Sequence, residues 1–323
     1  MSFSRSVLVT GGTSGLGYHA AHNIAKQHPE YLVVVASRSD RESAATSINQ
    51  SLKQENVFFL PLDLGSLQNV RAFAKTWASK NFAPIQLLLL NAGLQFPEEV
   101  RMSEDNIEAT FAINHVGHAL LFHLLYPHLS SDARIVVTAS GTHDPAQNSG
   151  LPDAKYTTAE ELAHPTPESA KNAGRQRYAT SKLVNVMWTY ALHRRFQALY
   201  TATNGQKNLT VAAFDPGLMP GTGLAREAGP ALKFVWNKAM PKLIPVMRKV
   251  ISPNIHRPEE SGASLAWLAM TAGKEEADGK YFEARKAIAS SVESREEGKQ
   301  EDLWAWTVKN VAVNEEERMA FDI

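Results

Sequence analysis

Short runs of apolar, often β-branched residues alternate along the chain with longer segments whose apolar residues recur at helical spacing. The runs that predict strands lie at 7–10, 32–36, 57–60, 85–90, 134–139, 209–214 and, more weakly, 280–282. Several are apolar at every position, which is typical of parallel strands covered on both faces. The alternation predicts an α/β fold, a doubly wound parallel sheet of about seven strands that forms one domain over residues 1–323.

The first predicted strand leads directly into a glycine-rich turn, V-L-V-T-G-G-T-S-G-L-G at 7–17, and a helical pattern follows to residue 27. Such a turn brings backbone N–H groups together with the positive end of a helix dipole, which suits an anionic diphosphate. Glycine is needed because a side chain would keep the backbone away from the phosphates. The sequence therefore predicts a dinucleotide site formed by Gly11, Thr13, Ser14, Gly15, Leu16 and Gly17.

Polar residues just after the following strands are candidates for the rest of this site, because ligands of such sheets bind at the carboxyl ends of the strands. After the second strand come Ser37 and Arg38, where a carboxylate would bind the free ribose of NAD. A guanidinium favours a 2′-phosphate through charge-assisted hydrogen bonds, so this pair favours NADP(H). Asp40, two residues farther on, is the residue that argues against this choice.

A catalytic pair is indicated by Y-A-T-S-K at 178–182, which places Tyr178 and Lys182 one turn apart on one helical face. Ser140, at the end of the fifth predicted strand, is the third candidate. An ammonium about 4 Å from the phenol contributes about 4 kcal/mol at an effective dielectric constant of about 20. That energy would lower the pKa of Tyr178 from about 10 to near 7, where a general acid–base works best.

Taken together, these motifs resemble those of the short-chain dehydrogenase/reductase family. The matching segments are T-G-x-x-x-G-x-G at 10–17, N-A-G at 91–93, Y-x-x-x-K at 178–182 and P-G at 216–217. The resemblance covers about residues 5–285, and it implies a Rossmann-type fold and an NADP(H) cofactor. It also implies hydride transfer between that cofactor and a carbonyl or alcohol, with Tyr178 as the proton donor, Ser140 on the carbonyl oxygen and Lys182 on the nicotinamide ribose.

The resemblance implies roles for further residues. Asp63 would accept a hydrogen bond from the adenine amino group, although taken alone it is an ordinary helix N-cap before 66–80. Asn114 would kink the helix predicted at 106–129 and hold a water that links Lys182 to solvent. Other cofactor contacts are expected from Leu64, Asn91, Ala92, Gly93, Tyr178, Lys182, Pro216 and Gly217.

Within the family, the chain looks most like the branch that contains retinol dehydrogenases, protochlorophyllide reductases and carbonyl reductases. The segment D-L-W-A-W at 302–306 is similar to the first two of these. The chain contains no cysteine, whereas protochlorophyllide reductases use an active-site cysteine. Protochlorophyllide reduction is therefore not expected.

One departure from the family pattern is an insertion at 141–177, which separates Ser140 from Tyr178 by 178 − 140 = 38 positions where about a dozen are typical. Its first residues, His143 and Asp144, either reach the substrate or form a plain turn before Pro145. Similar insertions in carbonyl reductases accompany a monomeric state, so a monomer is expected here, with a dimer as the alternative.

A second departure is the segment 218–257, in which Pro241 and Pro245 are expected to break the helical pattern. Lysines and arginine lie mostly opposite its apolar face. The segment is either a substrate lid, a pair of helices that covers the core, or a membrane-surface patch. The residues predicted to share the apolar face are Leu232, Val235, Trp236, Met240, Leu243, Ile244 and Met247.

Composition and the remaining sequence patterns bear on the type of partner, the location and the presence of a metal. The 33 basic and 33 acidic residues balance, so net charge gives no support for a nucleic-acid partner. No apolar run approaches the ~18 residues of a membrane span, no signal core follows Met1, and the histidines show no metal spacing. The sequence thus predicts a cytoplasmic enzyme without a metal.

The predicted function is reduction of a ketone or aldehyde, or oxidation of the alcohol, of a rather apolar small molecule. Two alternatives stay open at this stage: a membrane-surface retinoid or lipid dehydrogenase, and a non-catalytic protein that senses NADPH. Residues 286–323 are expected to form a C-terminal extension beyond the family core.

Overall fold

The computed structural model describes residues 3–223 and 229–321. Its centre is one eight-stranded sheet in the order β3-β2-β1-β4-β5-β6-β7-β8, in which only the last pair is antiparallel. The strands are β1 Arg5–Thr10, β2 Tyr31–Ser37, β3 Val57–Pro61, β4 Ile85–Leu90, β5 Leu129–Thr138, β6 Thr210–Asp215, β7 Lys280–Glu283 and β8 Lys286–Ile288. The chain crosses over between β3 and β4, so the carboxyl ends of β1 and β4 meet at the switch point where ligands bind in such sheets.

Helices cover both faces of the sheet, and two apolar clusters fill the space between the layers. The first helices are α1 Gly15–Gln27, α2 Ala44–Leu52, α3 Leu67–Ser79, α4 Ala109–Phe111, α5 Gly117–Leu125, α6 Ala159–Ala163 and α7 Gly174–Ala202. The later ones are α8 Pro230–Phe234, α9 Met240–Val250, α10 Pro258–Met270, α11 Lys274–Ala277, α12 Glu297–Val311 and α13 Glu315–Ala320. The predicted α/β class and doubly wound sheet are confirmed.

Two strands of the sheet, β8 and β5, differ from the prediction. The eighth strand was not predicted, because K-A-I at its position is too short and too polar to show an apolar run. The fifth strand begins five residues earlier than predicted, at Leu129, because its first half contains the polar run S-S-D. A hydropathy pattern therefore finds the buried centre of a strand and misses its exposed end.

The segment 141–177 packs against the C-terminal segment 286–323. The Tyr156 hydroxyl of the insertion donates a hydrogen bond to the Asp302 carboxylate in α12 at 2.6 Å. Beside this contact, the Trp306 indole N–H donates to Glu160 in α6 at 2.7 Å. The Arg195 guanidinium of α7 lies 3.7 Å from the centre of the Trp304 ring. The insertion and the C-terminal helices thereby lie together over the outer side of α7.

Candidate active site

The glycine-rich turn between β1 and α1 leaves no room for side chains at its closest approach. A Cβ on Gly17 would lie 2.4 Å from the carbonyl oxygen of Gly11 and 2.6 Å from Asn91 Nδ2. Gly11 itself has a φ of +66°, a conformation that glycine adopts without strain. The turn therefore holds bare backbone at the start of α1, where N–H groups and the helix dipole suit an anionic group.

Hydrogen bonds from Thr10 and Asn91 join the turn to the neighbouring strands. The Thr10 hydroxyl accepts from the backbone N–H groups of Asn91 and Ala92 at 2.8 and 3.0 Å. In return, Asn91 Nδ2 donates to the Thr10 carbonyl at 2.8 Å, and the Thr138 hydroxyl donates to Asn91 Oδ1 at 3.4 Å. Three strand ends, those of β1, β4 and β5, are thus fixed at one edge of the sheet.

The residues after β2 and β3 lie on the same edge. The Thr13 hydroxyl of the turn donates to the Ser37 hydroxyl at 3.0 Å, which places Arg38 beside the turn. The Asp40 carboxylate accepts from the backbone N–H groups at the start of α2, at 2.7 Å from Ala44 N. The Asp40 carboxylate is therefore already hydrogen-bonded to the N-terminus of α2, and Asp40 does not line the cavity described below. Asp63 accepts from Gly65 N at 2.9 Å, while Ser66 rather than Asp63 is the N-cap of α3.

Ser140, Tyr178 and Lys182 meet across β5 and α7. Lys182 Nζ donates to the Thr138 carbonyl at 3.0 Å, which ties the α7 helix to the end of β5. The same Nζ lies 5.6 Å from the centre of the Tyr178 ring. Tyr178 and Lys182 are both buried. The sequence spacing placed the two side chains on one helical face, and the strand end supplies the anchor that holds Lys182 there.

Asn114 lies in a π-helical turn, Ala112–Val116, between α4 and α5. Its side chain is fully buried, accepts from Leu94 N, and donates to Leu94 O and to the Ser181 hydroxyl, each at 2.9 Å. The irregular turn agrees with the kink that the family resemblance implied. Asn114 anchors the loop after Gly93 through its bonds with Leu94.

The pKa values in the site differ from the sequence-based expectation. Burial raises the pKa of Tyr178 well above its ordinary value, and the negative charge of Asp215 adds to the effect, while a contact with Ser140 opposes it. Burial lowers the pKa of Lys182 to about 8, although Asp215 raises it. The prediction that Lys182 brings the Tyr178 pKa near 7 is therefore wrong for this structure. It omitted the cost of placing a phenolate in a buried site.

Asp215 is a buried polar residue of the site to which sequence reasoning assigned no role. It is buried at the end of β6, and accepts from Gly217 N and from Asn254 Nδ2, both at 2.9 Å. Its position just after a predicted strand was the available signal. Only the position of Asn254, 39 residues later, shows that the carboxylate is held inside the site.

All of these parts surround one cavity of about 890 Å³. Every predicted site residue except Asn114, which lies beneath it, lines this cavity. The opposite wall comes from the segment 218–257, through residues such as Trp236, Met240, Ile251 and Ile255. The lining residues that had been predicted are Gly11, Thr13, Ser14, Gly15, Leu16, Gly17, Ser37, Arg38, Asp63, Leu64, Asn91, Ala92, Gly93, Ser140, Tyr178, Lys182, Pro216 and Gly217.

Two side chains next to Ser140 have structural contacts. His143 is buried, with Nδ1 2.7 Å from the Ser140 carbonyl and Nε2 accepting from Ser291 N at 3.1 Å. Burial lowers its pKa, which suits the neutral ring that these two contacts require. Asp144 accepts from Ala146 N at 3.0 Å, the contact of a plain Asx turn. The turn interpretation is therefore the one that agrees with the structure.

The segment 218–257 departs from its predicted form in two ways. Residues 230–250 form one continuous helical run, because a π-helical turn at Val235–Ala239 precedes Pro241, and α9 continues through Pro245. In addition, Val235 and Leu243, which were predicted to lie on the inner face, are 44% and 51% exposed. The side chain of Leu232 and residues 224–228 lie outside the described part of the chain.

The histidines of the α4–α5 run are packed within the core. Burial lowers the pKa values of His115, His118 and His123 to about 3, 4 and 3. Across residues 3–223 and 229–321, no group of three or more His, Asp or Glu side chains is placed to hold a metal. Over the same residues, no helix is both long enough and apolar enough to cross a bilayer.

Comparison with known proteins gives the class of this fold and site. A family model described as short chain dehydrogenase matches residues 5–152, and a second, described as AcuH dehydrogenase domain, matches residues 225–320. The short-chain dehydrogenase TIC 32 A, chloroplastic, of Brassica napus is 29% identical over 313 residues, which cover 95% of this chain and 88% of that protein. These matches support assignment of the chain to the short-chain dehydrogenase/reductase family.

Two further similarities concern the branch and the fold. The chloroplastic protochlorophyllide reductase of Pisum sativum is 27% identical over 329 residues, covering 95% of this chain and 78% of that protein. The crystal structure of NADPH-bound carbonyl reductase from chicken fatty liver aligns with a TM-score of 0.59 and 15% identity. That alignment covers 90% of this chain and 100% of the other, and it shows a shared fold.

Proposed function

We propose that the chain is an NADP(H)-dependent oxidoreductase that reduces a ketone or aldehyde of a rather apolar small molecule, or oxidises the corresponding alcohol. One observation carries the proposal. Ser140, Tyr178 and Lys182 line the same cavity as the glycine-rich turn. A nucleotide held at the turn and a small molecule at Tyr178 would therefore share one cavity.

The cofactor choice rests on the residues that follow β2. Arg38 lies at the cavity edge, where its guanidinium suits a 2′-phosphate. Asp40, the carboxylate that would favour NAD instead, is bonded to the start of α2. The diphosphate would lie against the backbone of 11–17, and the adenine near Asp63. The solved carbonyl reductase that shares the fold is described as NADPH-bound, which supports the same choice.

A bound reduced nicotinamide supplies the hydride of this reaction. The Tyr178 hydroxyl donates its proton to the carbonyl oxygen of the substrate, and the Ser140 hydroxyl donates a hydrogen bond to the same oxygen. Burial and the charge of Asp215 raise the pKa of Tyr178, so the phenol holds its proton until the oxygen becomes basic. Lys182, anchored on the Thr138 carbonyl, would hold the nicotinamide ribose.

The route by which a proton returns to the site would pass beside Gly93. Asn114 lies in the π-helical turn, and Gly93 separates it from Lys182: a Cβ on Gly93 would lie 3.4 Å from Lys182 Nζ and 3.5 Å from Asn114 Oδ1. We propose that a water near this glycine links Lys182 to solvent. Asn114 would act as a positioning residue through its hold on the loop after Gly93.

The apolar character of the substrate rests on the second wall of the cavity. Trp236, Met240 and Ile251 face the same space as Tyr178. Such a wall offers little to a highly polar ligand and favours burial of apolar surface. We therefore assign the segment 218–257 the role of a substrate lid.

A monomer is part of the proposal. Dimers of this family usually pair the two helices that correspond here to α5 and α7. The insertion and α12 lie over the outer side of α7, and His123 of α5 contacts the Ala320 carbonyl of α13 at 3.0 Å. Sedimentation at micromolar concentration tests this. A stable dimer paired through α5 and α7 would contradict it.

The cytoplasmic location stays a prediction, since both relatives named above are chloroplastic by name.

The experiment that tests the function is a panel of ketones, aldehydes and the matching alcohols, with NADPH or NADP⁺ consumption as the readout. We expect apolar carbonyls to be reduced and NADH to be the weaker donor. Fluorescence titration with NADPH separates binding from turnover. The non-catalytic alternative would be favoured if the native chain bound NADPH tightly but turned over no member of the panel, and if Tyr178→Phe behaved in the same way.

A further inference from the structure

The helix that forms the cavity wall has two apolar faces. On the inner face, Ile244 and Met247 are buried against Ile255, and Met240 packs beside them. Trp236 and Met240 also line the cavity. This face accounts for the packing of the lid on the rest of the chain.

The second face points to solvent. Six large apolar residues between positions 234 and 251 are 44–78% exposed: Phe234, Val235, Leu243, Val246, Val250 and Ile251. They are nearly half of the thirteen large apolar side chains that are exposed in the described part of the chain, and the rest are scattered. Leu243, Val246 and Val250 follow the i, i+3, i+7 spacing of one helical stripe. Covering the cavity does not require this stripe, because the inner face already does so.

Charge distinguishes the possible occupants of the stripe. Residues 229–251 contain five basic side chains and no acidic one, although the whole chain carries 33 of each sign. Arg248 is paired with Glu260, while Lys238, Lys242 and Lys249 are exposed. In α9, Lys242 and Lys249 lie seven residues apart, on the side next to the apolar stripe. An apolar stripe bordered by lysines is typical of helices that lie in the interface of an anionic membrane.

A second copy of this chain is a poor fit for the same surface. Two such faces would bring two sets of lysines together without an opposing carboxylate from 229–251. We propose that residues 230–251 bind the surface of an anionic lipid bilayer, with Leu243, Val246 and Val250 inserted among the acyl chains and Lys238, Lys242 and Lys249 at the headgroups. The chain would then lie on the membrane through a helix parallel to its surface.

The exposed apolar stripe lies next to the mouth of the cavity. Ile251 is exposed at the end of the stripe and also lines the cavity, so the stripe and the cavity mouth are continuous. An apolar substrate dissolved in the bilayer would enter the cavity without crossing water. This consequence rests on the proposed function, whereas the lipid binding itself does not.

Flotation of the full chain with vesicles tests the proposal without substrate or cofactor. We expect binding to vesicles of phosphatidylcholine mixed with phosphatidylserine, and much weaker binding to phosphatidylcholine alone. Replacing Lys238, Lys242 and Lys249 by glutamine should weaken binding to the anionic vesicles roughly a hundredfold at low salt, since each lysine is worth about 1 kcal/mol there. The difference between this variant and the native chain should shrink as salt is added.

The apolar stripe is tested by the triple change Leu243→Ser, Val246→Ser and Val250→Ser. It should weaken binding by at least about a hundredfold, because three buried side chains of this size contribute several times RT each. The matched control is Val292→Ser with Val313→Ser, two equally exposed valines outside the lid. Thermal unfolding of each variant checks that the exposed changes leave the fold intact.

Three results would overturn the proposal: no binding of the native chain to anionic vesicles at low salt, equal binding by the serine triple variant and the native chain, or a native dimer that the triple variant dissociates. The last would identify the stripe as an interface between copies. Because catalysis is assayed separately with soluble substrates, failure of lipid binding leaves the proposed function standing.

Discussion

The two walls of the cavity are built in different ways. On the sheet side, a Cβ on Gly17 would approach the Gly11 oxygen to 2.4 Å, and Asn91 is bonded to Thr10 and Thr138, so the backbone has one arrangement. On the lid side, Trp236 and Met240 are only partly buried and belong to a helix whose other face is exposed. The sheet wall holds the groups that we propose for cofactor binding and catalysis. We expect a change of side chain on the lid wall to alter the choice of substrate while the fold is retained.

The most severe test of the sheet wall is Tyr178→Phe. We expect turnover to fall by about 10²–10⁴-fold, because the phenol is the group proposed to give its proton to the substrate. NADPH affinity, measured by fluorescence, should stay within a few-fold of the native value. Activity close to that of the native chain would remove Tyr178 from the mechanism, and an equal loss of NADPH affinity would show that the change acts through the fold.

Arg38→Ala tests the cofactor end of the same wall. The dissociation constant for NADPH should rise roughly ten- to a hundredfold, since a charge-assisted hydrogen bond to phosphate is worth about 1.5–3 kcal/mol. Affinity for NADH, which lacks the 2′-phosphate, should be nearly unchanged. Arg41→Ala, a nearby arginine that does not line the cavity, is the matched control. Equal losses for both cofactors would show that Arg38 is structural.

The lid wall is tested by Met240→Ala. Its side chain lines the cavity and is partly buried, so we expect the KM for an apolar substrate to rise by about tenfold. Affinity for NADPH should not change. The control is Leu243→Ala, three residues away on the exposed face, which should leave KM as it is. If both variants behave alike, the two faces of α9 do not differ in function, and the comparison between walls loses its basis.

The difference between the two walls also explains which parts of the fold and of the site the sequence predicts. Asn91 and Arg38 were predicted because each follows a strand directly, and the parallel sheet brings strand ends together. Gly17 was predicted because it belongs to the glycine-rich motif that joins β1 to α1. The place of Asp215 in the site and the pairing of Tyr156 with Asp302 were not predicted. They depend on contacts with residues 39 and 146 positions away, which no local pattern records. The exposure of Val235 and Leu243 was not predicted either, because helical spacing alone does not show which edge of an apolar face contacts the rest of the chain.

Asp215 joins the two walls, since it is held by Asn254 at the end of the lid and its charge acts on Tyr178. The charge raises the pKa of the phenol, so Asp215→Asn should lower that pKa. Alcohol oxidation needs the phenolate, and its rise with pH should therefore move to lower pH. The charged or titratable groups around Asp215 that share its field are Tyr178, Lys182, His143, His256, Tyr281 and Glu283.

The pH profile separates this effect from a structural one. An asparagine keeps an oxygen for the Gly217 N–H, so the turn after β6 should persist. Loss of activity at every pH without a displaced profile would show that Asp215 only shapes the turn. Asp144→Asn, which changes a carboxylate in an exposed Asx turn nearby, should leave the profile where it is.

The smallest effect is expected where the insertion meets the C-terminal extension, away from both walls. Tyr156→Phe removes the hydroxyl that donates to Asp302 at 2.6 Å, while the ring stays buried. Asp302 keeps its hydrogen bond from Ala159 N and is itself exposed, so solvent compensates for part of the loss. We expect the free energy of unfolding to fall by about 1 kcal/mol, with KM and NADPH affinity unchanged.

The control is Tyr200→Phe, at a half-exposed tyrosine of α7, which should change the free energy of unfolding by less than about 0.5 kcal/mol. A loss of activity in Tyr156→Phe without loss of stability would mean that the insertion acts on the active site, and that the cavity has a third functional wall.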